Sequence, residues 1–92
     1  MKRPQIKDIG AAIRCYYNEG YIGNKEILEI FGKISTGTVS KLKRAARERE
    51  IEQEIPEVVP MKVNARIAFE VWEIDIEQLV KNYKQLKRLG MV

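Results

Sequence analysis

The chain has 92 residues, 45% hydrophobic and 33% charged, with a net charge of +4, no histidine and a single cysteine. That balance describes one folded domain with a modest core, burying somewhat more than roughly 60% of its extended surface. It excludes an intramolecular disulfide and a zinc site built from one chain's N and S ligands, and no apolar run approaches the roughly 18 residues of a spanning helix. Without histidine the commonest general base and any Ser-His or Cys-His pair are missing, so neither an enzyme nor a metal or cofactor is expected. The amino terminus "MKRPQIKDIG" has cations with no apolar stretch behind them, unlike a signal peptide, and the expected place of action is the cytoplasm.

An all-α fold is expected. Ile6, Ile9, Ile13 and Tyr16 recur at helical spacing, with Pro4 tolerated near the start, which predicts a first helix over about 5–18. Cys15 falls beside that stripe and reads as a boundary thiol without a redox role. "NEGYIGN" then breaks the pattern with two glycines. Asn24 is suited to cap a short second helix over about 24–31, with Ile27, Leu28, Ile30 and Phe31 apolar and Gly32 placed to end it. Ser35 is the next N-cap, opening a helix over about 35–50 whose apolar positions Val39, Leu42 and Ala46 are spaced i, i+3, i+7.

"IEQEIPEVVP", with Pro56 and Pro60, reads as an acidic linker, and the prolines disfavour a β-wing there. Asn64 can cap a helix over about 64–72, although the alternation of Ile67, Phe69 and Val71 also permits a strand. Asp75 opens a last helix over about 75–89. Gln78 stands where a capping box requires it, and Ile74 can staple onto Leu79. Leu79, Val80, Tyr83, Leu86 and Leu89 are its expected buried stripe, with Gly90 as the stop. The chain thus divides into a three-helix region 1–50, a linker 51–63 and a helical packing or dimerisation element 64–92.

Charge follows that division. Residues 1–50 hold 11 Lys/Arg against 6 Asp/Glu, a net of +5, and residues 51–92 hold 6 against 7, a net of −1. A basic half joined to a near-neutral one is the footprint of a nucleic-acid-binding region beside an element with another task.

Two helices joined by a glycine turn, the later one basic, make the plan of a helix-turn-helix. The stretch "EILEIFGKISTGTVSKL" resembles the motif of lac-repressor-type regulators over residues 27–42: Ile27, Leu28 and Gly32, then Ile34 and Ser35, then "TVSKL" from Thr38 to Leu42. The turn holds one extra residue, Lys33, and nothing here matches that family's hinge or sugar-binding domain. The resemblance implies that the helix from Ser35 enters the major groove of double-stranded DNA.

The residues support that independently. With Val39, Leu42 and Ala46 facing inward, the opposite face carries Gly37, Ser40, Lys41 and Arg44, flanked by Thr36, Lys43 and Arg47. Short side chains at the tip permit close approach, so Ser35, Thr36, Gly37, Thr38 and Ser40 are candidates for base edges or adjoining phosphates. Arg44 is suited to a bidentate bond to guanine, and Lys41, Lys43 and Arg47 to phosphates. Lys2 and Arg3 offer a basic arm or a frayed end. "GYIG" at residues 20–23 matches the G-x-x-G loop of KH domains, which needs flanking strands where this sequence reads as helix. The expected function is sequence-specific DNA binding by a bacterial, phage or mobile-element regulator or recombination accessory factor, with a possible homodimer through residues 64–89. The alternative is a protein-interaction or phage DNA-packaging adaptor that works through its carboxy-terminal helices.

Overall fold

A computed structural model describes residues 3–90. Among them the order is α1 (Ile9–Arg14), β1 (Tyr21–Ile22), α2 (Asn24–Phe31), α3 (Thr36–Glu52), β2 (Val63–Asn64), α4 (Ala65–Val71) and α5 (Ile76–Arg88). The fold is mostly helical, with one short antiparallel sheet pairing Tyr21 with Asn64 and Ile22 with Val63. An all-α expectation missed that sheet because two residues cannot display a period-2 pattern. "GYIG" is consumed by the same pairing: Ile22 is fully buried, so no exposed clamp loop of KH type forms there.

The first helix starts later than its apolar spacing suggests. The Lys7 and Asp8 N–H groups donate to the Ile30 carbonyl at 2.8 and 3.2 Å, holding the chain ahead of α1 against the end of α2. Asp8 is then the cap, its carboxylate accepting from the Ala11 N–H at 2.9 Å. A helix reaching back to residue 5 would forfeit these bonds. Beyond Arg14 the helix widens into a π-turn over Cys15–Glu19.

α2 spans the expected residues with a different cap. Buried Glu26 turns back so that its Oε1 accepts from the Gly23 N–H at 2.7 Å, and Asn24 is the first helical residue. Gly32 ends α2 at φ +80°, and a Cβ there would lie 2.9 Å from Lys7 Cγ. Dihedral and space both select glycine. α3 ends in a Schellman motif, with the Ile55 N–H bonded to the Glu50 carbonyl at 2.8 Å and the Glu54 N–H to the Ile51 carbonyl at 3.1 Å. The left-handed position is Glu54, at φ 56°. With no glycine to mark the stop, the helix runs slightly past its expected end.

The core is one cluster drawn from α1 through α4, with Trp72, Phe31, Phe69, Ile22, Ile27, Ile30 and Leu42 among its largest side chains. α4 lies at its centre: Ala65, Ile67, Ala68 and Phe69 are all buried. Apolar neighbours on more than one side explain why the alternation of Ile67, Phe69 and Val71 also permitted a strand. Residues 64–74 are therefore part of the core that residues 1–50 begin, and the connection does not separate two units. Trp72 packs edge-on against Phe31, ring centroids 5.6 Å apart, and its Nε1–H donates to the Leu42 carbonyl at 2.9 Å.

α5 is attached more lightly. Asp75 caps it, accepting from the Gln78 N–H at 3.2 Å, but the Gln78 side chain reaches forward to Asn82 Oδ1 at 3.0 Å and closes no capping box. Its expected buried stripe is only half covered. Leu79, Val80, Tyr83 and Leu86 are half-buried against α1 and the core edge, and Leu89 is 64% exposed. No helix among the described residues is long and apolar enough to cross a membrane.

Candidate nucleic-acid interface

α3 carries most of the candidate residues, and three features hold it. Ser35 caps it, with Oγ accepting from the Thr38 N–H at 3.1 Å. Val39, Leu42 and Ala46 are buried against the core, and one turn further Glu50 joins them. The Trp72 indole N–H donates to the α3 backbone at the Leu42 carbonyl from the core. A helix fixed by its cap, its inner stripe and a backbone bond presents its outer face in one orientation.

That face is the expected one at its tip. Thr36, Gly37, Ser40, Lys41 and Arg44 are exposed, and Lys43 is half-buried. Among the described residues, no ion pair involves Lys41, Lys43 or Arg44. Ser35 and Thr38 are engaged in the cap, their hydroxyl oxygens 2.8 Å apart, so they shape the tip more than they offer free donors.

Arg47 departs from expectation. Its Nη1 lies 2.8 Å from Glu50 Oε1, and its Nη2 donates to Glu57 Oε2 at 2.6 Å and to the Lys62 carbonyl at 2.9 Å. The side chain is only 26% exposed. It clips the 53–62 connection onto α3. Glu50, 1% exposed, completes this junction: its Oε2 accepts from the Asn64 N–H at 3.0 Å where β2 meets α4. Arg49 is likewise bound within the chain, Nη1 donating to Glu70 Oε1 at 2.7 Å. The i, i+3 relation of Arg47 to Glu50 was visible in sequence. Glu57, Lys62 and Glu70 lie too far along the chain to be foreseen.

Arg3 is also occupied. Its Nε–H donates to the Trp72 carbonyl at 2.8 Å, which removes it from a free arm, and Lys2 lies outside the described residues. Arg14 pairs with Glu29 between α1 and α2.

Beside the α3 face runs an open groove of about 420 Å³. Ser40, Lys43, Arg44 and Arg47 form one wall, and Asn24, Glu57 and Met61 line the rest together with Val63. Asn24, at the start of α2, and Glu57 are residues that the sequence did not bring to this surface. No group of three or more His, Cys, Asp or Glu side chains suited to a metal ion occurs among the described residues. Cys15 is buried in the core, and burial pushes its thiol up from 9.0 to about 11. It is a neutral core group, fully buried where its place beside the apolar stripe suggested a boundary position.

No family model matches this chain, and no match was found among curated proteins or solved structures.

Proposed function

We propose that the chain binds double-stranded DNA by laying the amino-terminal turns of α3 in the major groove. One observation carries this reading: the outward face of a rigidly anchored helix joins a tip of small residues, Thr36, Gly37 and Ser40, to Lys41 and Arg44, cations that make no ion pair among the described residues. Small residues admit the helix close to base edges, and unpaired cations gain most from displacing the counterions of a phosphate backbone. Arg44, met by a guanine, supplies a bidentate bond worth about 1–3 kcal/mol of discrimination. α2, the turn through Gly32 and α3 act as the helix-turn-helix, which agrees with the resemblance over residues 27–42. Lys43 reaches phosphate beside it. The role is that of a regulator or recombination accessory factor of bacterial, phage or mobile-element type.

Selection of bound duplexes from a random pool, using the full chain, tests the reading. Enrichment of one motif supports it, and a palindromic winner adds homodimerisation. A pool that returns no motif, together with no binding at low salt, sinks it.

The half-covered side of α5 favours a second reading, a protein-interaction or packaging adaptor. A depression of about 300 Å³ bounded by Ile9, Leu86 and exposed Leu89 offers an apolar footing for another chain, including a second copy. Light scattering of the full chain with and without duplex separates a DNA-induced dimer from an adaptor that ignores DNA.

A further inference from the structure

Arg47 is held rigidly from behind and loosely in front. Glu50, itself almost wholly buried, fixes Nη1 at 2.8 Å, and the Lys62 carbonyl accepts from Nη2 at 2.9 Å. The remaining partner, Glu57, contacts Nη2 at 2.6 Å, but its side chain is 52% exposed and stands on the connection between α3 and β2. A pair so exposed to water is weakly bound and exchanges readily. The same guanidinium lines the groove with Ser40, Lys43 and Arg44, at i, i+3, i+4 and i+7 along α3, and Glu57 is the carboxylate among the lining residues. Neither Lys43 nor Arg44 is bonded to it.

We propose that this groove is a seat for one phosphate oxyanion, held by the Glu57 carboxylate in the free chain and by a backbone phosphate in the DNA complex. The inference rests on the DNA-binding reading above and adds a site to it. A carboxylate and a phosphodiester each carry one negative charge and an oxygen able to accept from Arg47 Nη2, as Glu57 Oε2 does. The exchange therefore leaves the guanidinium satisfied at every stage. An incoming phosphate also finds the Lys43 ammonium and the Ser40 hydroxyl, donors that Glu57 does not engage. Glu57 is accordingly a built-in competitor, and it lowers the affinity of the free chain for any polyanion that fails to reach those further donors.

Two measurements on the full chain decide it. The first titrates a labelled duplex at several salt concentrations with the wild type and with Glu57→Gln. Removing the competing charge should tighten binding by about twofold to fivefold. The salt slope should stay close to that of the wild type, because the same phosphate meets Arg47 in both complexes. The second follows the Arg47 Nε–H and Ser40 amide signals by NMR while inorganic phosphate is added, with saturable shifts expected at lower phosphate in the variant. Unchanged or weaker duplex binding by the variant, beside intact wild-type binding, overturns the exchange. Phosphate shifts at both positions without any duplex binding by either protein would keep an anion seat, assign it to free phosphate, and refute the DNA reading separately. Shifts absent at both positions overturn the seat itself.

Discussion

The basic residues of α3 fall into two sets, and replacing one set while sparing the other is the sharpest test of the interface. Lys41 and Arg44 are exposed and make no internal ion pair among the described residues, whereas Arg49 is bonded to Glu70 at 2.7 Å across the α3–α4 contact. Lys41→Ala with Arg44→Ala should leave unfolding stability within about 0.5 kcal/mol of wild type, because nothing packed or paired is lost. The same double variant should flatten the salt dependence of duplex binding by about 0.9, for the Lys41 phosphate contact, and lose the discrimination of about 1–3 kcal/mol that Arg44 gains from guanine. Between 50 and 200 mM salt, one contact is worth about 3.5-fold in affinity, so the wild type should lose about 3.5-fold more than the double variant over that range. Arg49→Ala should behave in the opposite way. Breaking an exposed pair costs about 0.2–1 kcal/mol of stability, and the salt slope should not move. The assays are fluorescence anisotropy across a salt series and urea unfolding of the same preparations. Equal slopes for the wild type and the double variant, or a flattened slope for Arg49→Ala, would refute the assignment of free and structural cations.

Two further outcomes concern the scaffold. Glu50→Ala strands the Asn64 N–H and removes the buried partner of Arg47, and the urea midpoint should report a loss of about 3 kcal/mol. That is a large share of the roughly 5–14 kcal/mol expected for a chain of this size. Glu50→Gln keeps an acceptor for Asn64 and should recover part of the loss, whereas a cost under about 1 kcal/mol for alanine would show that the junction holds without it. Cys15 gives a pH signature. Its folded thiol sits at about 11 against 9.0 unperturbed, so its contribution is fully present below 9.0 and lost as pH rises toward about 11, where only the unfolded chain ionises more readily. Compared with Cys15→Ala at each pH, wild-type stability should fall across that window, and parallel curves would show the burial to be without consequence.

Much of the helical organisation was legible because its causes are local. Ser35, Asn64 and Asp75 cap the helices they were expected to cap, since an N-cap needs only a short oxygen-bearing side chain and an N–H three residues ahead. Val39, Leu42 and Ala46 are buried as their spacing requires, and the face opposite them is exposed at Gly37, Ser40, Lys41 and Arg44. The start of α1 was less legible. There the amides of Lys7 and Asp8 answer to a carbonyl at Ile30 in place of one four residues back. How far residues 64–74 join the core of the first three helices was not legible either: a connection with two prolines says nothing about where the next helix packs.

By itself, then, the sequence determined where helices exist, which sides of them are apolar, and that positive charge gathers on one of them. These follow from torsional preference and periodicity, which act over a few neighbouring residues. Only the tertiary structure decided which cations are free. Arg47 and Arg49 look like Lys41 and Arg44 along the chain, yet Glu57, the Lys62 carbonyl and Glu70 come from distant positions to bind them. An ion pair depends on a distance of a few ångström in space, and the packing of Trp72 and α4 against α3 brings such partners within reach.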